Sequence, residues 1–403
     1  MDEQLEDNIK CCVQTICKKL NVSHYVYETS PVDKKGKNFV SSIYRVKVSG
    51  QNKFKGNVNI RLILKMAPVQ NFVREGHGIQ STYSREVYTY EKILPCFFEL
   101  EANCGVQNFY KAYPRYYTSS TMEMREFVIL EDMEQKDYKM LKTIDIDHAK
   151  LIIMELGKFH ALSFALQKQK FEAFCEIKDN IHDFEFDDKF ESAYRFMCEL
   201  GLKTLDPARD DSVYKKYLGF CKQWYTIIKN SFNELNHSQY AVITHGDVWL
   251  PNLMFKYQGR SSPTNVCMLD WQFVRIGSPA FDISQFLFIC CDTEIRNNHY
   301  ASLIENYYES LSTHLRLLGE SAKEVFPFRI LMEHLKKYSV IGLISAIKTS
   351  HMMCVHQEQP NLRKPSNFEE YVSAFLHLKI DLEKYNPRMK SIILDYINFG
   401  YDM

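Results

Sequence analysis

The chain has 403 residues, 45% hydrophobic and 14% aromatic, so it can bury a large core and is expected to divide into two lobes. Lys plus Arg and Asp plus Glu each number 50, and this zero net charge without basic runs argues against a nucleic-acid or anionic-membrane partner. The apolar runs are far shorter than the ~20 residues that cross a membrane, and the acidic start is unlike a secretory signal. Together with twelve scattered cysteines, these features predict a reduced, cytoplasmic protein.

The N-terminal third predicts one helix followed by strands. Apolar residues recur every three to four positions over about residues 1–20, which indicates an amphipathic helical extension. Alternating segments predict a three-stranded meander at His24–Thr29, Phe39–Val48 and Val58–Met66. A helix is predicted over Thr82–Leu94 and is expected to end at Pro95. Two further strands are predicted at Phe109–Tyr117 and Glu126–Leu130.

The polar stretch Glu131–Lys139 marks the predicted boundary between two lobes, residues 1–133 and 134–403. Beyond it the pattern becomes helical, beginning with a helix that Asp147 is predicted to cap. Further helices are predicted at Lys189–Leu200, Val213–Leu235, Tyr300–Leu318, Phe328–Met353 and Phe368–Tyr385. Residues 240–269 interrupt them, with short strands predicted at Leu253–Phe255 and Val266–Leu269. The order predicts an α+β protein with a small strand-rich lobe and a larger helical lobe.

Residues 245–252 read His-Gly-Asp-Val-Trp-Leu-Pro-Asn and lie between apolar, strand-like segments. Asp247 and Asn252 can face one point in space, and Asp270 ends another short apolar strand eighteen residues later. Phosphoryl transfer needs a carboxylate that orients and deprotonates the attacking hydroxyl, and oxygen ligands for Mg²⁺. Asp247 suits the first role, and Asn252 with Asp270 suits the second. A lone loop aspartate would more simply stabilise a turn, but the two paired segments favour catalysis.

The segments HGDVWLPNLMF and MLDWQFVRIGSPAFDISQF resemble the catalytic core of the aminoglycoside and choline kinase superfamily. They resemble more closely that of the ecdysteroid kinase-like family of insects. The resemblance runs from about Gly36 to the helices beyond Tyr300, and it implies a two-lobed, protein-kinase-like fold. It also implies that Asp247 is the catalytic base and that Asn252 and Asp270 are ligands of Mg²⁺. His245 and Asp282 are then expected to brace the loop.

The same resemblance implies an ATP site in the N-terminal lobe. Lys65 is expected to hold the α- and β-phosphates, and Glu86, twenty-one residues later, is expected to pair with it. Main-chain groups around Glu131 to Met133 are expected to bind adenine. The segment from Gly36 occupies the place of the phosphate loop, where main-chain N–H groups near Ser41 and Ser42 could cradle phosphate oxygens. It has one glycine rather than the triplet of protein kinases, so an ordinary polar hairpin loop is an equal alternative.

The implied activity is transfer of the γ-phosphoryl group of ATP to a hydroxyl of an ecdysteroid or another lipophilic alcohol, in hormone regulation or conjugation of dietary toxins. Choline, ethanolamine or aminoglycoside phosphorylation is the alternative, as is an inactive binding protein on the same fold. A protein kinase is disfavoured, because Trp249 replaces the usual lysine and only eleven residues separate Asp270 from Asp282. The helices from Tyr300 to Tyr338 mix both charges with large apolar residues, which favours a neutral acceptor over a cationic one.

Overall fold

The computed structural model describes residues 3–32, 41–181, 190–259, 262–356 and 367–403. Within these ranges an antiparallel sheet near the N-terminus is followed by a mainly helical region, so the predicted α+β class is confirmed. In this described part of the chain, no helix is long and apolar enough to cross a membrane.

The N-terminal sheet has five strands and is covered by the first helix, α1 (Glu3–Lys19). The strands pair in the order β1-β2-β3-β5-β4, and their bounds are Val22–Pro31 (β1), Ser42–Asn52 (β2), Gly56–Met66 (β3), Tyr116–Ser120 (β4) and Phe127–Glu131 (β5). Ile9, Val13 and Ile16 of α1 form a buried cluster with Val46 and Leu62 of the sheet. Burial of each such side chain contributes about 1.5–3 kcal/mol. Within the described residues the predicted helix and meander are confirmed, and Phe39 and Val40 at the start of the predicted second strand lie outside those residues.

The strand predicted at Phe109–Tyr117 is wrong for most of its length, because only its last two residues belong to β4. The upstream main chain has other partners. The Tyr110 N–H donates to the Glu101 carboxylate at 2.9 Å, and the Ala112 carbonyl accepts from the Met268 N–H at 2.8 Å. An aromatic, apolar pattern indicates that a segment is buried, but it does not show which groups satisfy its main chain.

Helical structure continues past the proline that was predicted to end it. The helices α2 (Asn71–Gly76) and α3 (Ile79–Tyr88) precede a π turn at Thr89–Ile93, which leads into α4 (Leu94–Asn103). Pro95 lies in the first turn of α4, so the predicted stop is wrong. Proline lacks an N–H group, and the first helical turn is where that group has no partner within the helix.

The long helix α5 spans Ile146–Gln169, and its capping residue differs from the predicted one. Asp145, not Asp147, caps it, because its Oδ1 accepts from the N–H groups of Asp147 and His148 at 3.0 and 3.1 Å. Asp147 instead lies in the first turn, where a negative charge favours the helix dipole. Both aspartates have the chemistry of a cap, and only the main-chain conformation distinguishes them.

In the described part of the C-terminal region, ten further α-helices follow α5. Their bounds are Phe171–Asn180 (α6), Glu191–Leu202 (α7), Asp211–Asn233 (α8), Pro279–Ile289 (α9), Thr293–Leu317 (α10), Ala322–Val325 (α11), Phe328–Tyr338 (α12), Val340–Met353 (α13), Phe368–Leu376 (α14) and Leu382–Asn398 (α15). The predicted helix Phe328–Met353 is thus two helices that meet at Ser339, and Phe368–Tyr385 also spans two. When two consecutive helices both bury an apolar face, the apolar periodicity of the sequence does not show where the chain changes direction between them.

The segments that are predicted from the sequence to be catalytic lie next to short strands. Their bounds are Lys139–Met140 (β6), Val242–Thr244 (β7), Leu253–Gln258 (β8), Ser262–Met268 (β9) and Arg275–Gly277 (β10). They pair as β6-β8-β9 and β10-β7. Leu253 at the start of β8 pairs with Met268 at the end of β9, and the Leu269 N–H donates to the Asn252 carbonyl at 2.8 Å. This pairing brings the loop before β8 beside the turn after β9.

Candidate active site

Residues 245–252 form a loop between β7 and β8, which we call the catalytic loop, and Asp282 of α9 holds its start. The Asp282 carboxylate accepts from the main-chain N–H groups of His245 and Gly246 at 2.7 and 2.9 Å, and lies 3.1 Å from His160 Nε2. Burial raises the pKa of Asp282, but these hydrogen bonds and the neighbouring histidines outweigh it and hold the pKa below its usual value. Asp282 is therefore a fully buried anion that braces the loop, in the place predicted for it.

The main chain of the loop is held at two further points. Gln285, one turn after Asp282 on α9, accepts from the Val248 N–H at 2.8 Å and donates to the Gly246 carbonyl at 3.2 Å. Gly246 has a φ of +78°, and a Cβ atom there would lie 2.2 Å from the Phe273 carbonyl oxygen. Glycine is required at this position, both for its conformation and for the close approach.

His245 joins the catalytic loop to the turn after β9. Its Nε2 lies 3.1 Å from the Leu269 carbonyl, and its Nδ1 accepts from the Asp247 N–H at 3.3 Å. Burial lowers the pKa of His245, so the ring is neutral and carries its proton on Nε2. The ring thus fixes the main chain that presents the Asp247 side chain.

Asp247 presents its carboxylate between two donors of the same loop. Its Oδ2 accepts from Asn252 Nδ2 at 2.7 Å and from Trp249 Nε1 at 3.2 Å. Burial and the negative charge of Asp270 raise the pKa of Asp247 to about 6. Within the described part of the chain, Oδ1 receives no hydrogen bond. This oxygen is the one that can accept a proton.

Asp270 follows β9 and points back toward the N-terminal sheet. It has a left-handed conformation (φ 64°), its Oδ1 lies 2.6 Å from Lys65 Nζ, and its Oδ2 accepts from Gln272 Nε2 at 3.2 Å. A left-handed aspartate is uncommon, and here it turns the chain so that the carboxylate faces the cleft. About a quarter of the side chain is exposed, so one edge remains open to a ligand.

Lys65 at the end of β3 lies between two carboxylates, Glu86 at 2.7 Å and Asp270 at 2.6 Å. Burial disfavours the charged ammonium, but the two carboxylates outweigh it and hold the Lys65 pKa above its usual value. Burial also raises the pKa of Glu86, to about 7. The Lys65 ammonium stays charged between these two side chains. The structure brings together Lys65 and Asp270, which are 205 positions apart, and it also pairs Lys65 with Glu86.

The predicted phosphate loop lies only partly within the described residues. Gly36 and the following residues to Val40 lie outside them, whereas Ser41 and Ser42 lie beside Lys65. Ser41 Oγ accepts from the Tyr83 hydroxyl at 3.1 Å, and Lys65 Nζ is 5.6 Å from the centre of the Tyr83 ring. Ser42 pairs with Met66, the residue after Lys65. The two serines remain predicted phosphate contacts.

The predicted adenine-binding segment follows β5. Glu131 ends this strand and pairs with Lys136 at 2.9 Å, and a short turn begins at Met133. Met133 is buried and packs with Met254 and Cys267. This apolar cluster includes residues of β8 and β9, next to the turn that carries Asp270. The position suits a planar base, and both the adenine contact and the lobe boundary at residues 133–134 remain predictions.

The donor set suits Mg²⁺. In the described residues no three His, Cys, Asp or Glu side chains converge as a metal cluster would. Mg²⁺ does not need one, since it takes one or two protein oxygens and completes its octahedron with phosphate and water. Asn252 and Asp270 offer an amide and a carboxylate on adjoining turns, which the hydrogen bond from the Leu269 N–H to the Asn252 carbonyl holds together.

Several positioning residues were not predicted from the sequence. Arg85, next to Glu86, is buried and donates to the Gln272 carbonyl at 3.0 Å, so α3 is tied directly to the segment after Asp270. Gln285 was missed although it lies three residues after Asp282, on the same helical face, which is a signal that the sequence contained. Arg85 offered no such signal, because its partner is a distant main-chain carbonyl.

A sequence model described as the ecdysteroid kinase-like family matches residues 35–320. The chain belongs to this family. The match covers the N-terminal sheet, the catalytic loop and α9, so every residue of the site described above lies inside it. Membership gives the ecdysteroid kinase-like chain a kinase-like phosphotransferase fold and a place among small-molecule kinases.

Several solved structures are similar to the ecdysteroid kinase-like chain at low sequence identity. They include a Plasmodium vivax ethanolamine kinase (14% identity, TM-score 0.43, covering 92% of this chain and 82% of that one). A microcompartment-associated aminopropanol kinase has 9% identity and a TM-score of 0.44, with 97% and 98% covered. An aminoglycoside 2'-phosphotransferase-IIIa in complex with GDP has 12% identity and a TM-score of 0.41, with 96% and 98% covered.

A curated relative matches a shorter stretch. The Caenorhabditis elegans protein named uncharacterized oxidoreductase dhs-27 is 32% identical over 89 residues, which is 21% of this chain and 11% of that protein. The ecdysteroid kinase-like chain thus spans about a tenth of the length of this relative.

Proposed function

We propose that this ecdysteroid kinase-like chain is an ATP- and Mg²⁺-dependent kinase that phosphorylates a hydroxyl of a small, lipophilic, non-cationic acceptor such as an ecdysteroid. The observation that carries this proposal is the convergence of four side chains. Lys65 contacts Asp270 at 2.6 Å, and Asp247 accepts from Asn252 at 2.7 Å on the adjoining turn. Phosphoryl transfer needs a base, a cation that contacts the phosphates, and oxygen ligands for a metal ion.

Asp247 acts as the base in this proposal. Asn252 and Trp249 both donate to its Oδ2, which leaves Oδ1 to take the proton from the acceptor hydroxyl. The acceptor oxygen then bonds to the γ-phosphorus of ATP, the bond from that phosphorus to the bridging oxygen breaks, and ADP leaves. Above pH 6 the carboxylate is in its basic form, since its pKa is raised to about 6.

Lys65 and the metal ligands stabilise charge on the phosphates. Lys65 is held in its charged form by two carboxylates and would contact the α- and β-phosphates. Mg²⁺ held by Asn252 and Asp270 would supply positive charge beside the transferred group. Glu86 fixes the direction of the Lys65 ammonium from α3, and Arg85 fixes α3 against the segment after Asp270.

We also propose the reduced, cytoplasmic setting that the scattered cysteines of the sequence predict. All twelve cysteines are free thiols, and burial raises the pKa of most of those in the helical region. A raised pKa keeps a thiol protonated and unreactive.

The experiment is acceptor phosphorylation by Asp247→Ala, with Asp211→Ala as the matched control because Asp211 is an exposed aspartate that pairs with Lys215. We expect turnover to fall by ~10²–10⁴ in Asp247→Ala, with ATP affinity nearly unchanged, because the base does not contact adenine. The control should match the wild type. Phosphorylation within a few-fold of wild type in Asp247→Ala would remove Asp247 from the mechanism.

The acceptor and the competing functions are tested in the same assay. Hydroxylated steroids, choline and an aminoglycoside are each incubated with ATP, and mass spectrometry detects the phosphorylated product. We expect a higher kcat/KM for the steroids. Preference for the cations would establish the choline- or aminoglycoside-kinase alternative. ATP binding without transfer to any acceptor would identify an inactive binding protein.

A further inference from the structure

Lys348 lies on α13, the helix that contacts Gln285 beside the catalytic loop. Gln285, which bonds to the loop on both sides of Asp247, also donates to Ser345 Oγ at 3.4 Å. Lys348 follows Ser345 by three residues, so the two side chains share one face of α13. The same glutamine therefore positions both the loop that carries the base and the helix face that carries this lysine.

The position of α13 is fixed by close packing on α9. A Cβ atom at Gly342 would lie 2.4 Å from both the main chain and the hydroxyl of Ser284. Backbones this close cannot slide past each other without a clash. Because α9 also carries Asp282 and Gln285, the distance from Lys348 to the catalytic loop is set by a rigid pair of helices.

The charge of Lys348 is not neutralised by an ion pair. Lys348 is exposed, and no carboxylate in the described part of the chain lies within salt-bridge distance of it. The charged groups that act most strongly on Asp247 are Asp270, which already pairs with Lys65, and Lys348, which lowers the Asp247 pKa. Among the described residues, Lys348 is thus an unpaired cation whose charge acts on Asp247.

The charge of Lys348 also acts on His77, which lies among aromatic side chains. Burial, and next the charge of Lys348, lower the pKa of His77 to about 4, so this ring is neutral at physiological pH. The His77 ring centre is 6.0 Å from that of Phe190, which packs edge-on against Phe368 at 5.1 Å. Phe368 lies against Gly76, where an added Cβ would be 2.1 Å from its ring.

We propose that Lys348 determines acceptor specificity by charge: it excludes acceptors that are cationic near the reacting hydroxyl and favours those that carry an anionic group there. This inference rests on the proposed kinase function. The aromatic rings near His77 alone would attract a cation, because the ring faces are negative. Two ammonium groups a few ångströms apart at a protein surface repel each other, and the effect on kcat/KM should be about tenfold to a hundredfold.

The test uses three matched hydroxysteroids whose side chain ends in a carboxylate, a methyl ester or a primary amine. Each is assayed with wild type, Lys348→Arg, Lys348→Met and Lys348→Glu, and Lys216→Glu is the control because Lys216 is an exposed lysine of α8. In wild type, Lys348→Arg and the control, kcat/KM should fall from carboxylate to ester to amine. Lys348→Met should level the three values, and Lys348→Glu should reverse their order.

Two results would overturn the inference. If Lys348→Glu changes all three kcat/KM values by one factor, Lys348 has at most a structural role, and the kinase function still stands. If wild type phosphorylates none of the three, the kinase proposal fails for these acceptors, and calorimetric binding of each steroid decides the charge question separately. The inference is then wrong if wild type and Lys348→Glu rank the three dissociation constants alike.

Discussion

Replacing Asp282 should damage stability and catalysis together, because this carboxylate holds the start of the catalytic loop. Its side chain is fully buried and bonds to two main-chain N–H groups and to His160. Asp282→Ala leaves both N–H groups without an acceptor, at about 1–3 kcal/mol each. The removal of one member of a buried charged network typically costs about 3–5 kcal/mol, which agrees with that sum.

Asp282→Asn is the more informative variant, because it keeps the shape of the side chain. The amide offers one acceptor oxygen instead of two and turns an NH₂ group toward one N–H donor. We expect a loss of about 1–3 kcal/mol in the free energy of unfolding, which a domain of ordinary stability survives. The loop main chain between His245 and Val248 should then exchange its amide hydrogens faster, and kcat should fall.

The assays are denaturant unfolding, hydrogen exchange of residues 245–248 and turnover per folded molecule. Asp395→Asn is the matched control, since Asp395 is also buried and pairs with Arg296 at 2.7 Å in the contact between α15 and α10. The control should lose stability without changing exchange in the loop or kcat. A loss below about 0.5 kcal/mol in Asp282→Asn, with unchanged loop exchange, would refute the bracing role.

Two further predictions concern Lys65 and the pH dependence of stability. Lys65→Met and Glu86→Ala should each lower kcat/KM. Because Glu86 acts through Lys65, the effects on kcat/KM in the double mutant should be less than additive by about 1–3 kcal/mol. Full additivity would mean that the two residues act independently. Burial, and then the charge of Lys337, lower the pKa of His334 from 6.5 to about 4. Between these two pH values His334 is therefore protonated in the unfolded chain and neutral in the folded one. The free energy of unfolding should therefore fall as the pH drops from 6.5 to 4, by up to about 1.4 kcal/mol per pH unit for this group. His334→Asn should reduce that slope in denaturant unfolding, whereas replacement of the exposed His377 should not; equal slopes would contradict the assignment.

The sequence by itself determined the α+β class and the positions of the loops that carry the proposed base and metal ligands. These features are local: the apolar periodicity of a strand or helix lies within a dozen residues, and Asp247 and Asn252 are five apart on one loop. Helix ends were less certain, since Asp145 and Asp147 have the same capping chemistry and Pro95 is compatible with either the end or the start of a helix.

Only the tertiary structure decided which distant groups meet. The contact of Lys65 with Asp270 joins residues 205 positions apart, and the bonds of Gln285 to the catalytic loop and to Ser345 join three separate elements. No local pattern marks such pairs, because each residue alone resembles an ordinary charged or polar side chain on a helix or strand. The position of Lys348 relative to Asp247 also depends on tertiary structure. It is set by the close packing of α13 on α9, which the glycine at 342 permits.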